Sequence, residues 1–142
     1  MVALRNLAVL AGRILIAAIF IYDATLIARF PADNAGFLEG FGVPSFMIWP
    51  TALLQFAGGL GIVVGLLTRI FALAFAAFCI LTALIFHNNF ADLGETIQFG
   101  KDLGLAGGFL FLAAGGAGEW SLDAILGTDG WPFARGRTRT AT

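Results

Sequence analysis

The chain has 142 residues, 59% of them hydrophobic and 12% charged, with a formal net charge of −1. Ordinary soluble domains run at roughly 45–50% apolar and 25% charged, so the composition argues against a soluble protein and for a polytopic membrane protein sitting in a lipid bilayer. No basic patch suggests nucleic acid, and a single cysteine, Cys79, leaves no internal disulfide and no multi-cysteine metal or iron–sulfur site.

The first helix is expected over residues 7–28. It is longer than the apolar core of a cleaved signal and carries Arg13 and Asp23, so it should stay as an anchor. Arg13 is near enough to the start to snorkel toward the interface. The helix should stop ahead of Pro31, which disfavours helical geometry in the residue before it. Next, Asn34 is placed to cap a short helix over residues 35–41, with Phe37, Leu38 and Phe41 on one face lying across the bundle mouth. Gly42-Val43-Pro44-Ser45 breaks that helix.

The second span is expected over residues 48–67. Its apolar core, residues 49–67, makes a rod of roughly 28 Å at about 1.5 Å per residue, close to the hydrocarbon thickness of a bilayer. Trp49 is an interfacial aromatic, Pro50 fits the first turn, and Arg69 is a charged stop. Ala57, Gly61 and Gly65 fall four apart and form a small-residue packing groove, and Gln55 is an amide inside the apolar run. The third span, residues 70–87, follows the Thr68-Arg69 corner so closely that it must run antiparallel to the second. It ends in His87-Asn88-Asn89. A loop with Asp92 and Glu95 leads to a fourth span over residues 97–114. There Gly100, Gly104 and Gly108 repeat the groove, and the two grooves are expected to cross.

These readings give an all-α fold, a four-transmembrane-helix bundle with a short interfacial helix between helices 1 and 2. The membrane domain covers residues 1–118, and residues 119–142 form a cytoplasmic tail with Arg135, Arg137 and Arg139. Four spans put both termini and the Thr68-Arg69 corner on one side. That side collects Arg5, Arg13, Arg69 and the tail arginines, against Arg29 and Lys101 opposite. The positive-inside rule then makes both termini cytoplasmic.

Apart from Arg13, the strongly polar groups fall in the outer half. Asp23, Gln55, His87, Gln98, Lys101 and Asp102 are expected to meet there, with Lys101 neutralising Asp23 or Asp102. One reading is an outward-facing pocket walled by Phe20, Tyr22, Phe56, Phe86 and Phe90, holding a quinone or another amphipathic ligand, with His87 or an acid exchanging protons. The other is a polar network that locks four helices together and binds nothing. No metal site is expected, because no second His or Cys lies near His87.

Gly12-Arg13-Ile14-Leu15 through Ile21-Tyr22 opens a set of landmarks that continues with Gly40-Phe41-Gly42-Val43-Pro44. Gly58-Gly59, Gly65-Leu66-Leu67-Thr68-Arg69, Phe86-His87-Asn88, the stretch from Phe99 to Gly108, and Ser121-Leu122-Asp123 follow in order. Over residues 10–124 or so, this set resembles the DoxX family of small four-helix bacterial membrane proteins. The resemblance implies a bundle in the bacterial cytoplasmic (inner) membrane and a loose link to redox, since members resemble the thiosulfate:quinone oxidoreductase membrane subunit. Against the family pattern, Asp23-Ala24 replaces a Ser-Gly pair, Ile27 a lysine, Gln55 an acid and Asp102 an amide. The charges inside the membrane have been rearranged.

Two roles fit the sequence. One is a quinone-linked redox subunit whose electrons come from a partner, because no redox centre is visible in the sequence and no covalently bound cofactor is expected. The other is an accessory packing subunit of a larger respiratory or photosynthetic membrane complex, associating with other membrane subunits or with itself.

Overall fold

The structure is a computed structural model and describes residues 1–128, 130 and 131. Among these the secondary structure is helical, without strands. Helix α1 spans Val2–Arg29, α2 Pro31–Gly40, α3 Ser45–Val64, α4 Thr68–Phe86, α5 Leu93–Gly115 and α6 Leu122–Leu126.

Three of these, α1, α3 and α4, are long and apolar enough to cross a membrane. Much of their apolar surface faces outward, as does that of α5. Leu15 is 75% exposed and Phe111 83%, which suits lipid and not water. The bundle interior is instead small and aromatic. Phe75 stacks on Phe109 with ring centroids 4.9 Å apart, and Phe20 closes the triplet at 4.7 Å from Phe75. Ala17, Ala72, Ala76 and Ala106 let the helices approach around these rings.

Several boundaries differ from the sequence expectation, each for a local reason. Helix α1 begins at Val2, not residue 7, and its 28 residues make about 42 Å of rod, longer than the hydrocarbon layer. Helix α2 begins at Pro31, which occupies the first helical position where its missing N–H costs nothing. Asn34 therefore lies inside α2 and caps nothing; its Nδ2 donates to the Phe30 carbonyl at 2.8 Å. Rings of Phe37 and Phe41 lie 5.3 and 5.1 Å from that of Phe86, so α2 folds over the end of α4.

Helix α3 starts with a 3-10 turn and contains one π turn, Leu54–Gly58. It stops at Val64, not residue 67, because Gly65 takes the left-handed conformation (φ +73) that ends a helix. Helix α4 starts at Thr68 and ends at Phe86, a residue short of the expected His87. Helix α5 gains a turn over the expected start at residue 97. Asp92 caps it, its Oδ1 accepting from the backbone N–H groups of Gly94 and Glu95 at 2.7 and 3.2 Å.

The expected crossing of two glycine grooves is not what forms. Helix α5 packs chiefly on α4, and α3 chiefly on α1. A side-chain carbon at Gly61 would lie 2.6 Å from the Phe71 ring, and one at Gly108 would lie 3.0 Å from Ile16 Cδ1, so these two do permit close packing. Gly100 and Gly104 face open space, and Ala57 is exposed. A four-residue spacing fixes which residues share a face but not which face turns inward; on α5 the Phe109 row won that contest.

After Gly115 the chain turns back under the bundle instead of leaving as a tail at residue 119. Ser121 and Asp123 are buried there. The arginines expected to mark the tail, Arg135, Arg137 and Arg139, lie outside the described residues.

Candidate functional site

The aromatic triplet stands between two cavities. One, of about 550 Å³, lies under α2 and is bordered by α1, α3, α4 and α5. Gln55 forms part of its wall and is only 3% exposed. Its Nε2 donates to Asp23 Oδ2 at 2.8 Å, while its Oε1 has no donor. Gln55 sits inside the π turn, a local widening of the helix that recurs at functional positions and here rotates the amide onto α1. Across the cavity, Thr82 Oγ1 contacts Asp102 Oδ2 and the Cys79 carbonyl, each at 3.0 Å. A hydroxyl has one proton, so it can donate to only one of the two at a time.

The remaining expected residues divide. His87 borders the cavity and holds Glu95 Oε2 at 2.7 Å through Nδ1. Tyr22, 63% exposed, and Gln98 stand at the rim, and Phe20 and Phe86 supply walls. Lys101 is not part of the lining. It is exposed and donates to Gln98 Oε1 at 3.1 Å, so the expected ion pair with Asp23 or Asp102 does not form. Phe56 and Phe90 also point elsewhere: Phe56 is 49% exposed, and Phe90 packs edge-on against Phe99. Thr82 and Asn34 were missed as cavity residues. The threonine had a legible signal, a hydroxyl in an apolar run five residues before His87; Asn34 looked like a cap.

The second cavity, about 710 Å³, lies at the other end between α1, α5 and the returning segment. Arg13 does not snorkel outward. It is 1% exposed, and its Nη2 donates to the Trp120 carbonyl at 2.6 Å, while Nε and Nη1 lack partners. Gly65 packs against the guanidinium, leaving no room for a side chain. Asp123 ties this end together, its carboxylate accepting from the backbone N–H of Leu67 at 2.8 Å and of Thr68 at 3.0 Å. These are the orphan donors at the start of α4. Arg69 Nη1 donates to the carbonyls of Ala113 and Ala114, so a cation sits at the negative end of α5. Arg5 and Asn6 both reach Glu119, at 3.6 and 2.7 Å.

Comparison with known proteins fits this architecture. Residues 8–88 match the model of the DoxX family. The chain is also 42% identical over 123 residues to the inner membrane protein YqjF of Escherichia coli (strain K12), covering 87% of this chain and 95% of that protein. The chain belongs to the DoxX family. No solved structure matches it. The DoxX match spans α1 to α4 and so includes Arg13, Asp23, Gln55 and His87, while Asp102 and Asp123 lie beyond it. This DoxX protein thus carries an acceptor-rich cavity at one end and, at the other, one beside helix ends capped by Asp123 and Arg69. The first can hold a ligand through hydrogen bonds. The second can fix how the helices end.

Proposed function

We propose that this DoxX protein is a four-span inner-membrane protein that binds a small amphipathic molecule in the cavity under α2, acting as an accessory subunit of a redox-related membrane assembly. The observation that carries the reading is Gln55: a residue only 3% exposed, in the wall of a cavity, whose buried amide oxygen has no donor among the described residues. Leaving such an oxygen unpaired costs about 1–3 kcal/mol, which a donor on a bound molecule would recover. Helix α5 is the fourth span. Its 23 residues make about 35 Å, and Glu95, Lys101 and Asp102 all fall in its first half, near one interface. With four spans, the excess of arginine beside the termini favours a cytoplasmic N terminus and C terminus.

Among uncharged ligands, a quinol fits the chemistry better than a quinone. Its two hydroxyls donate, whereas quinone carbonyls only accept, and the cavity is already rich in acceptors. A redox role would need electrons from a partner. A pure packing role is the alternative, and the open face of α5 at Gly100 and Gly104 is the observation that favours it.

The experiment compares wild type with Gln55→Leu after purification in a non-ionic detergent, by solvent extraction and mass spectrometry. The proposal expects one amphipathic molecule, near one per chain, lost or strongly depleted in the variant. A raised thermal midpoint in Gln55→Leu with no change in bound small molecules would mean that the amide was merely unsatisfied, and would overturn the reading.

A further inference from the structure

Building on the reading of the cavity under α2 as a ligand site, we infer that its ligand is an amphipathic organic cation, an amine whose N–H groups meet the Asp23–Gln55 pair, with the Asp102 carboxylate facing it across the cavity and its apolar body among the aromatic rings. Three acceptor atoms in this wall are left without protein donors. Gln55 Oε1 is buried and unpartnered. Asp23 and Asp102 each accept through Oδ2, from Gln55 Nε2 and toward Thr82 Oγ1, and among the described residues Oδ1 of each takes no donor. A primary ammonium brings donors and no acceptor, which suits a wall whose polar atoms are mainly acceptors.

Charge points the same way. The lining contains two carboxylates and neither lysine nor arginine. Lys101 is turned away onto Gln98, and the one imidazole, His87, is engaged with Glu95. Ionisable groups at membrane depth pair with one another or mark a ligand path, and among the described residues no lysine or arginine lines this cavity. The walls suit a cation with an apolar body. Phe20, Phe37, Phe78, Phe86 and Tyr22 border the space, and aromatic faces attract organic cations as well as covering hydrocarbon. Among the described residues no three His, Cys, Asp or Glu side chains come together as a metal site, so this acceptor set is suited to an organic ammonium. The volume of about 550 Å³ accommodates a single-ring amphiphile with a short alkyl chain.

The test uses the full chain in a non-ionic detergent and measures binding by calorimetry for three molecules of similar size. These are para-butylbenzylamine, para-butylbenzyl alcohol and butylhydroquinone. The inference expects the amine to bind about tenfold or more tighter than the alcohol, a difference of about 1.4 kcal/mol. Asp23→Asn and Asp102→Asn should each abolish most of that preference, since each removes a charge while keeping an acceptor oxygen. Thermal unfolding of both variants checks that they are folded, and either one alone decides the question if the other does not fold. Equal binding of amine and alcohol, or a preference untouched by both substitutions, overturns the inference. Tight hydroquinone binding with weak amine binding overturns it too but leaves the ligand site standing. No binding of any of the three overturns both.

Discussion

At one end of the bundle, Arg13 and Arg69 face Asp123 and the carbonyl end of α5, and Asp123 fills its oxygens with backbone N–H groups. At the other, Asp23 and Asp102 border a cavity that no lysine or arginine among the described residues lines, and Gln55 holds one of them while its own oxygen goes without. Both ends bury polar groups, yet they do so to different effect. Where Asp123 meets the start of α4 and Arg69 the end of α5, the polar groups set where helices start and stop, while Arg13 gives one N–H to Trp120 and keeps two nitrogens unpartnered. Where two carboxylates border one cavity, the proposed ligand would supply the opposite charge. On the proposed reading, the contrast separates a structural end from a binding end within one small bundle.

The largest effects should come from breaking the structural end. Asp123→Ala strips the Leu67 and Thr68 N–H groups of their acceptor and leaves Arg13 without a nearby carboxylate. A loss of about 2–4 kcal/mol is expected from the two N–H groups left without an acceptor, read as a steep fall in thermal midpoint and in yield of folded protein. Gly65→Ala follows at about 2–3 kcal/mol. The new methyl meets Arg13 Nη1 and Ser121 Cβ, and φ there is +73. If Gly65→Ala proves neutral, Arg13 is not locked against this turn.

Smaller changes sharpen the contrast from outside both ends. Gly104→Ala meets nothing within the chain, so it should stabilise α5 by about 0.5–1 kcal/mol through helix propensity alone. A drop in stability or a change in oligomer size would instead show that a second chain packs on that face. Lys101→Met should leave the thermal midpoint unmoved, because its side chain is exposed and contacts only Gln98. A clear loss would restore the ion pair that the sequence suggested.

Much of the fold was legible because membrane helices announce themselves by length and apolarity, and Pro31, Pro44 and the Thr68-Arg69 corner mark their ends. The gathering of Asp23, Gln55, His87 and Asp102 was legible too, from their common depth. Three things were not. The partner choice of α5 depended on whether glycines or Phe109 turned inward, and spacing alone cannot rank two faces of one helix. The destination of Arg13 depended on Trp120, more than a hundred residues away, returning beneath it. Lys101 sits next to Asp102 in sequence, but adjacent residues on a helix point about 100° apart, so proximity along the chain was the wrong guide.

The most direct test is an experimental density map of the protein in lipid nanodiscs, inspected at Gln55. The account predicts four spans, the Gln55 to Asp23 hydrogen bond in place, and non-protein density in the cavity within hydrogen-bond reach of Gln55 Oε1. A collapsed cavity with that oxygen bonded to a protein group, or Asp23 and Gln55 turned toward acyl chains, would contradict it.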